Sequence, residues 1–123
     1  MKKTKLAALI AGLSLATSSA QADSWTNAEV TKQAAIMGLL TIDALQTLDI
    51  KNSSATASER NPLIGQHPSD RRIVGYFLTT AILHTALADQ LSSKHRAMLQ
   101  DGTIALELLV IGNNYGIGLR IKL

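Results

Sequence analysis

Ile73-Val74-Gly75-Tyr76-Phe77-Leu78-Thr79-Thr80-Ala81-Ile82-Leu83-His84-Thr85-Ala86-Leu87-Ala88 is a run of 16 residues without a formal charge. It contains no proline and is longer than an ordinary strand. Ser69 or Asp70 stands just ahead of it as a natural N-cap, so a helix is expected from about Arg71 to Leu91. A helix on the surface of a soluble protein carries a charged face. This run carries none, which favours lipid or a very apolar partner.

The same theme recurs on both sides. Upstream, Gln33 to Ile42 is uncharged, and after Asp43 so is Ala44 to Leu48. This predicts a helix from Asn27 to Ile50. Thr26 or Asn27 would cap it, and Glu29 in its first turn suits the helix dipole. Downstream, Gly102 to Leu119 is 18 residues with one formal charge, Glu107. A third helix is expected to begin near Ala97 or Met98 and to end within Asn113-Asn114-Tyr115-Gly116, since Asn and Gly favour C-terminal caps. Ile117, Leu119, Ile121 and Leu123 then alternate with small or charged residues, a period of two. With no second strand to pair with, they read as a short extended tail. The expected fold is therefore all-α: three hydrophobic helices in a small bundle, with that tail.

Lys51 to Arg72 connects the first two helices. Both prolines lie here, Pro62 and Pro68, each pushing the residue before it toward extended backbone. Gly65 between them permits a turn. The segment reads as a shaped loop.

The chain has 123 residues and a net charge of +3, which by itself would invite a nucleic-acid reading. The distribution removes that invitation. Of the 12 basic residues, Lys2, Lys3 and Lys5 precede position 23, and the remaining nine balance nine acids. With only four aromatic residues, Trp25, Tyr76, Phe77 and Tyr115, no basic-aromatic surface suits nucleic acid. Met1–Lys5 instead forms a basic head, Leu6 to Thr17 an apolar run of 12 residues, and Ala20-Gln21-Ala22 a small-residue cleavage pattern. Residues 1–22 thus read as a signal peptide, and residues 23–123 as one helical, membrane-embedded domain. The absence of cysteine excludes a lipoprotein anchor and disulfides. It also excludes thiol chemistry. No nucleophile elbow or Walker A loop is present, and no cofactor is expected.

Loop charge suggests an orientation. With the N-terminus of the exported chain outside, Lys51, Arg60, Arg71, Arg72, Arg120 and Lys122 would fall inside, and Lys32, Lys94 and Arg96 outside. That agrees with the positive-inside rule. Trp25 and Tyr76 would then be interfacial anchors. The expected location is the inner membrane, with the periplasm as the alternative. Expected partners are the lipid bilayer and a protein partner or a second copy.

Each helix also carries a polar row at helical spacing: Asp43, Gln46 and Thr47; Tyr76, Thr80 and His84; Thr103, Glu107 and Asn114. In a membrane bundle such rows face one another, because polar groups in hydrocarbon need partners. In a soluble bundle they would be the wet face. If Asp43, His84 and Glu107 met, they could hold a metal or relay protons, although no strong metal signature is present. His67 reads as a loop residue and His95, between Lys94 and Arg96, as a solvated turn residue.

Asp43-Ala44-Leu45-Gln46-Thr47, then Glu59-Arg60-Asn61-Pro62-Leu63-Ile64-Gly65-Gln66-His67-Pro68-Ser69 and Tyr76-Phe77, give the chain a likeness to a known group. It resembles small bacterial and prophage-encoded membrane proteins sharing an E-x-N-P-x-x-G-x-H-P-S core before a hydrophobic helix. The matching later positions are His84, Glu107 and Asn113 or Asn114. The resemblance covers about residues 35–123. It implies envelope location and architecture, with a structural or accessory role and no particular reaction. Physically, Glu59 could cap N–H groups near Arg71, and Asn61 could bond its own backbone, holding the loop against the helix ends.

Overall fold

The structure is a computed structural model that describes residues 22–52, 63–65 and 67–122. It is an all-helical bundle of three helices. α1 spans Asn27–Leu48 and continues into a single 3₁₀ turn, Asp49–Asn52. α2 spans Asp70–Gln90 and α3 spans Ser93–Gly116. Residues 1–21 of the signal-like segment, and Glu59, Asn61 and Pro62 of the loop core, lie outside the described residues.

Local chemistry sets most boundaries. Thr26 and Glu29 form a capping box: Thr26 Oγ1 accepts from the Glu29 N–H at 3.2 Å, and Glu29 Oε2 accepts from the Thr26 N–H at 2.8 Å. The Ser69 hydroxyl caps α2 by accepting from the Arg72 N–H. α3 begins earlier than its sequence suggests. Its first turn takes in Lys94-His95-Arg96, because the Asp23 carboxylate accepts from the Ser93 N–H at 2.7 Å. That cap arrives from 70 residues away, so no local motif announces it.

The tail also differs from the alternating reading. Gly118, at φ +98°, donates to the Tyr115 carbonyl, and Leu119 donates to the Asn114 carbonyl. This is a Schellman cap. It turns Leu119 into the bundle (2% exposed) while Ile117 and Ile121 stay 41% and 47% exposed. Residues that a strand would place on one face are thereby separated, and no strand occurs among the described residues.

Cross-helix hydrogen bonds fix the topology. Position 29 of α1 meets 93 and 96 of α3, and position 46 meets 111, so α1 and α3 run parallel. Gln33 meets Thr85, and His84 meets Thr103, so α2 runs against both. α1 packs most extensively on α3, less on α2, while α2 and α3 touch least.

The two interfaces of α1 differ in kind. Toward α2 lies the hydrophobic core: Ile36 and Leu40 from α1, Ile73 and Phe77 from α2, and Ile64 from the connecting segment. Gly65, at φ +91°, makes the turn that follows Ile64, and the Arg72 side chain donates to the Leu63 carbonyl. Toward α3 the contact is largely polar. Glu29, Gln33, Asp43, Gln46, Arg96, Gln100 and Glu107 are all buried. The three polar rows therefore turn inward and do not form a wet face. The exterior carries large apolar side chains, Val74, Leu78, Ile82 and Leu83 of α2 and Leu106, Leu108 and Leu109 of α3, alongside surface charges such as Arg71, Arg72, Asp89 and the Lys32–Asp101 pair. No helix among the described residues is long and apolar enough to cross a membrane.

Candidate functional site

The inward polar residues form two levels. The first joins the start of α1, the end of α2 and the start of α3. Arg96 is fully buried, and its guanidinium is enclosed by acceptors. It donates to the carbonyls of Ala88 (2.8 Å), Leu91 (2.8 Å) and Asp23 (2.7 Å), and to Glu29 Oε2 (3.1 Å). The Trp25 ring lies against it, 4.5 Å from guanidinium carbon to ring centroid. The Trp25 indole N–H donates to Asp89, so this residue closes the bundle end and is engaged by protein on both its face and its edge. Glu29 also accepts from the Ser93 hydroxyl at 2.6 Å. That bond and then the Thr26 backbone N–H outweigh the opposing effect of burial, and the Thr26 and Arg96 side chains add smaller pulls, so the carboxyl is held down at about pKa 2.

One turn further along, Gln33 Nε2 donates to Thr85 Oγ1 (3.0 Å) and meets His84 Nδ1 at 3.1 Å. Gln33 Oε1 accepts from Gln100 at 3.2 Å. Since the Gln33 amide donates, His84 Nδ1 accepts. The proton then sits on Nε2, 3.0 Å from Thr103 Oγ1, whose own hydrogen goes to the Leu99 carbonyl. Burial pushes the His84 pKa down, consistent with this neutral tautomer. His84 is thus a hydrogen-bonded strut linking all three helices.

The second level is a cleft of about 470 Å³ at the other end of the bundle. Its walls are apolar, among them Leu40, Ile64, Phe77, Leu109 and Leu119. Tyr76 sets its ring edge against Phe77, with centroids 5.2 Å apart. Into these walls are set Asp43, Glu107, Asn113, Asn114 and Thr80. Asn114 Nδ2 donates to Asp43 Oδ1 at 2.6 Å. Glu107 Oε2 is buried and accepts no hydrogen bond from the described residues. Burial, and secondarily the Asp43 charge, raise the Glu107 pKa to about 7. A carboxyl in that range changes charge near neutral pH, unlike an ordinary glutamate.

Of the three candidate residues, Asp43 and Glu107 share this cleft, while His84 makes its bonds in the first level. Among the described residues no group of three or more His, Asp or Glu side chains is placed to hold a metal ion. In the loop core, Gly65 makes its turn, Ser69 caps α2, and His67 and Pro68 border a smaller recess of about 180 Å³ beside the end of α1. His95 is exposed, 2.8 Å from the Ser92 hydroxyl in the first turn of α3. Sequence reasoning missed Arg96, Gln33 and Gln100. The sole available signal was Glu29 in the capping box, which marks a carboxylate but not its distant partner.

No family model, curated protein or solved structure matches the chain.

Proposed function

We propose that the chain is a small protein of the bacterial envelope, integral to the inner membrane, with a structural or accessory role. One observation carries this reading: a set of charged and amide side chains is buried between the helices while large leucines of α2 and α3 stay outside. Arg96 and Gln100 are 0% exposed, whereas Leu109 is 72% exposed. In water this arrangement is doubly unfavourable. Polar groups lose hydration that internal bonds only offset, and each large apolar side chain left out forgoes about 1.5–3 kcal/mol of burial. Against hydrocarbon the exposed leucines cost nothing, and the internal ladder is what a polar residue in lipid requires, while surface charges such as Lys32 and Asp101 would have to lie outside the hydrocarbon. The reading asks that the outer faces of α2 and α3 contact hydrocarbon. It does not ask any single helix to cross.

The basic head, apolar run and small-residue site before Asp23 support export. Alkaline carbonate extraction of membranes from cells expressing the full chain tests the proposal. Retention in the pellet is expected, together with an amino terminus at Asp23 by N-terminal sequencing. Release into the carbonate supernatant, or by osmotic shock, overturns membrane integration and leaves a periplasmic interaction domain as the reading.

A further inference from the structure

The bundle separates charge by its ends. Asp49, just past the end of α1, accepts from the Arg120 N–H at 3.0 Å and pairs with Lys122 at 3.0 Å, so the tail after α3 lies against the end of α1. Leu48 and Ile50 border the same small recess as Pro68 and Asp70, which brings the start of α2 to that place as well. Arg71, Arg72, Arg120 and Lys122 are therefore gathered at one end of the molecule, and all four are exposed. The acids described there are Asp49, which is buried, and Asp70. Residues 51–62, which join α1 to α2, bring Lys51 and Arg60 against Glu59, so they add a positive charge and do not cancel the surplus. Elsewhere in residues 23–123 the balance is reversed, with Lys32, Lys94 and Arg96 against six acids. This excess is a sum over side chains and holds whichever of them pair with one another.

Three further features define what meets this end. Arg71 and Arg72 occupy the first turn of α2, where a cation opposes the helix dipole, so helix stability does not account for them. An anion in front of that turn is favoured by both side chains and by the dipole. Apolar side chains stand among the bases: Leu63, 69% exposed, supplies the carbonyl that Arg72 bonds, exposed Ile117 and Ile121 flank Arg120 in the tail, and exposed Tyr115 stacks its ring on the Arg120 guanidinium at 3.8 Å. The apolar outer face of α2 also starts at Val74, directly after the two arginines. The bases thus lie where that face would pass from hydrocarbon to headgroups. A nucleic acid offers the charge but no hydrocarbon for Leu63, Ile117 and Ile121, whereas a phospholipid leaflet offers phosphate with acyl chains beneath it. We propose that this end of the bundle binds anionic phospholipid, with Arg71, Arg72, Arg120 and Lys122 at the headgroup phosphates and Leu63, Ile117 and Ile121 in the acyl region below. The proposal rests on the membrane reading above and names the lipid class that the bundle prefers.

The probes are dioctanoylphosphatidylglycerol and dioctanoylphosphatidylcholine, titrated by calorimetry into the full chain in dodecyl maltoside. At about 50 mM salt the anionic lipid should bind at least tenfold more tightly, and at about 500 mM the preference should shrink to within threefold, because salt screens exposed charges. Arg71→Gln with Arg72→Gln, and separately Arg120→Gln with Lys122→Gln, should weaken phosphatidylglycerol at least fivefold and leave phosphatidylcholine within twofold. Arg71→Lys with Arg72→Lys, which keeps the charge, should retain most of the affinity. Lys32→Gln with Lys94→Gln removes as many charges from elsewhere and should leave the preference within twofold. Equal affinity for the two lipids overturns the proposal. So does an undiminished preference in the Arg71 and Arg72 glutamine variant when its helical circular dichroism matches the parent, or an equal loss in the Lys32 and Lys94 variant, which would make net charge the sole cause. Displacement of phosphatidylglycerol by equimolar inorganic phosphate overturns the lipid assignment in favour of a free-phosphate site. A chain that carbonate releases but that still prefers phosphatidylglycerol overturns only membrane integration and upholds this contact. A chain that carbonate retains and that shows no preference overturns only this proposal.

Discussion

Arg96 Nη1 stands 3.1 Å from Glu29 Oε2, with side-chain exposures of 0% and 5%. This pair ties the first turn of α1 to the first turn of α3, and it explains why the two helices run parallel from a common end. The remaining guanidinium hydrogens go to carbonyls at the end of α2 and in the segment before α1. Arg96→Met keeps much of the volume but removes the guanidinium donor from Glu29 and from the carbonyls of Ala88, Leu91, Asp23 and Ser24. Removing one member of a buried pair costs about 3–5 kcal/mol. Loss of that order in urea unfolding is expected, and a variant within 1 kcal/mol of the parent (about one third of the low figure) would show the network to be dispensable.

Glu29 also sets an acid dependence. Its folded pKa, about 2, lies below the ordinary 4.5. The unfolded chain therefore takes up the proton first, so this stability is complete above pH 4.5 and is lost as pH falls toward 2. Thermal midpoints should fall over that window, and Glu29→Gln should flatten the dependence there. An unchanged slope in the variant would assign the acid sensitivity to other groups.

His84 acts in the same direction at higher pH. Its folded pKa lies below 6.5, so its stabilisation is full above that value and declines as pH falls beneath it. Protonation would put a hydrogen on Nδ1, facing the Gln33 amide hydrogens. His84→Phe removes the acceptor for Gln33 and the donor to Thr103, and leaving such buried groups unpaired costs about 1–3 kcal/mol. Denaturant midpoints at pH 8 check the magnitude. Equal stability of the variant would mean that water serves both partners.

How much of this was legible in the sequence depends on where each cap and partner lies. α1 and α2 are written locally: Thr26 with Glu29, Ser69 before an uncharged run, Gly65 at a turn. The start of α3 is not, because its cap is Asp23. The Ile117–Ile121 alternation looks like a strand only until Gly118 takes a positive φ. At the site, helical spacing singles out the rows holding Asp43 and Glu107 but leaves open whether they face inward or form a wet face; the structure turns them inward. Spacing could not say that His84 sits on another level, since that is a matter of which turn of α1 each meets. Arg96 was hidden by its neighbours, for Lys94-His95-Arg96 has the composition of a solvated turn.

Gly118 carries a separate prediction. An added Cβ would meet nothing within 4 Å, so any cost of Gly118→Ala is conformational. The left-handed backbone disfavours an L side chain by roughly 1–2 kcal/mol. The expected loss is of that size, with fraying at Asn114–Leu119 seen as faster amide exchange. Unchanged exchange would mean that the cap is not holding the end of α3.

Glu107 has the opposite sign from Glu29. Its folded pKa, about 7, lies above the ordinary 4.5, so the folded bundle holds the proton more tightly than the unfolded chain. Between pH 4.5 and 7 the native state carries the greater proton number, and stability therefore falls as pH rises through that window. Above it the full cost of the buried charge remains. Glu107→Gln keeps the shape and removes the charge. The variant should match the parent near pH 4.5 and exceed it at pH 8.5 by about 1–2 kcal/mol, a figure reduced for solvent screening at the open cleft. Urea titrations at the two pH values decide this. A parent and variant with parallel pH profiles would mean that Glu107 ionises at an ordinary pH, with solvent or a donor reaching its buried oxygen.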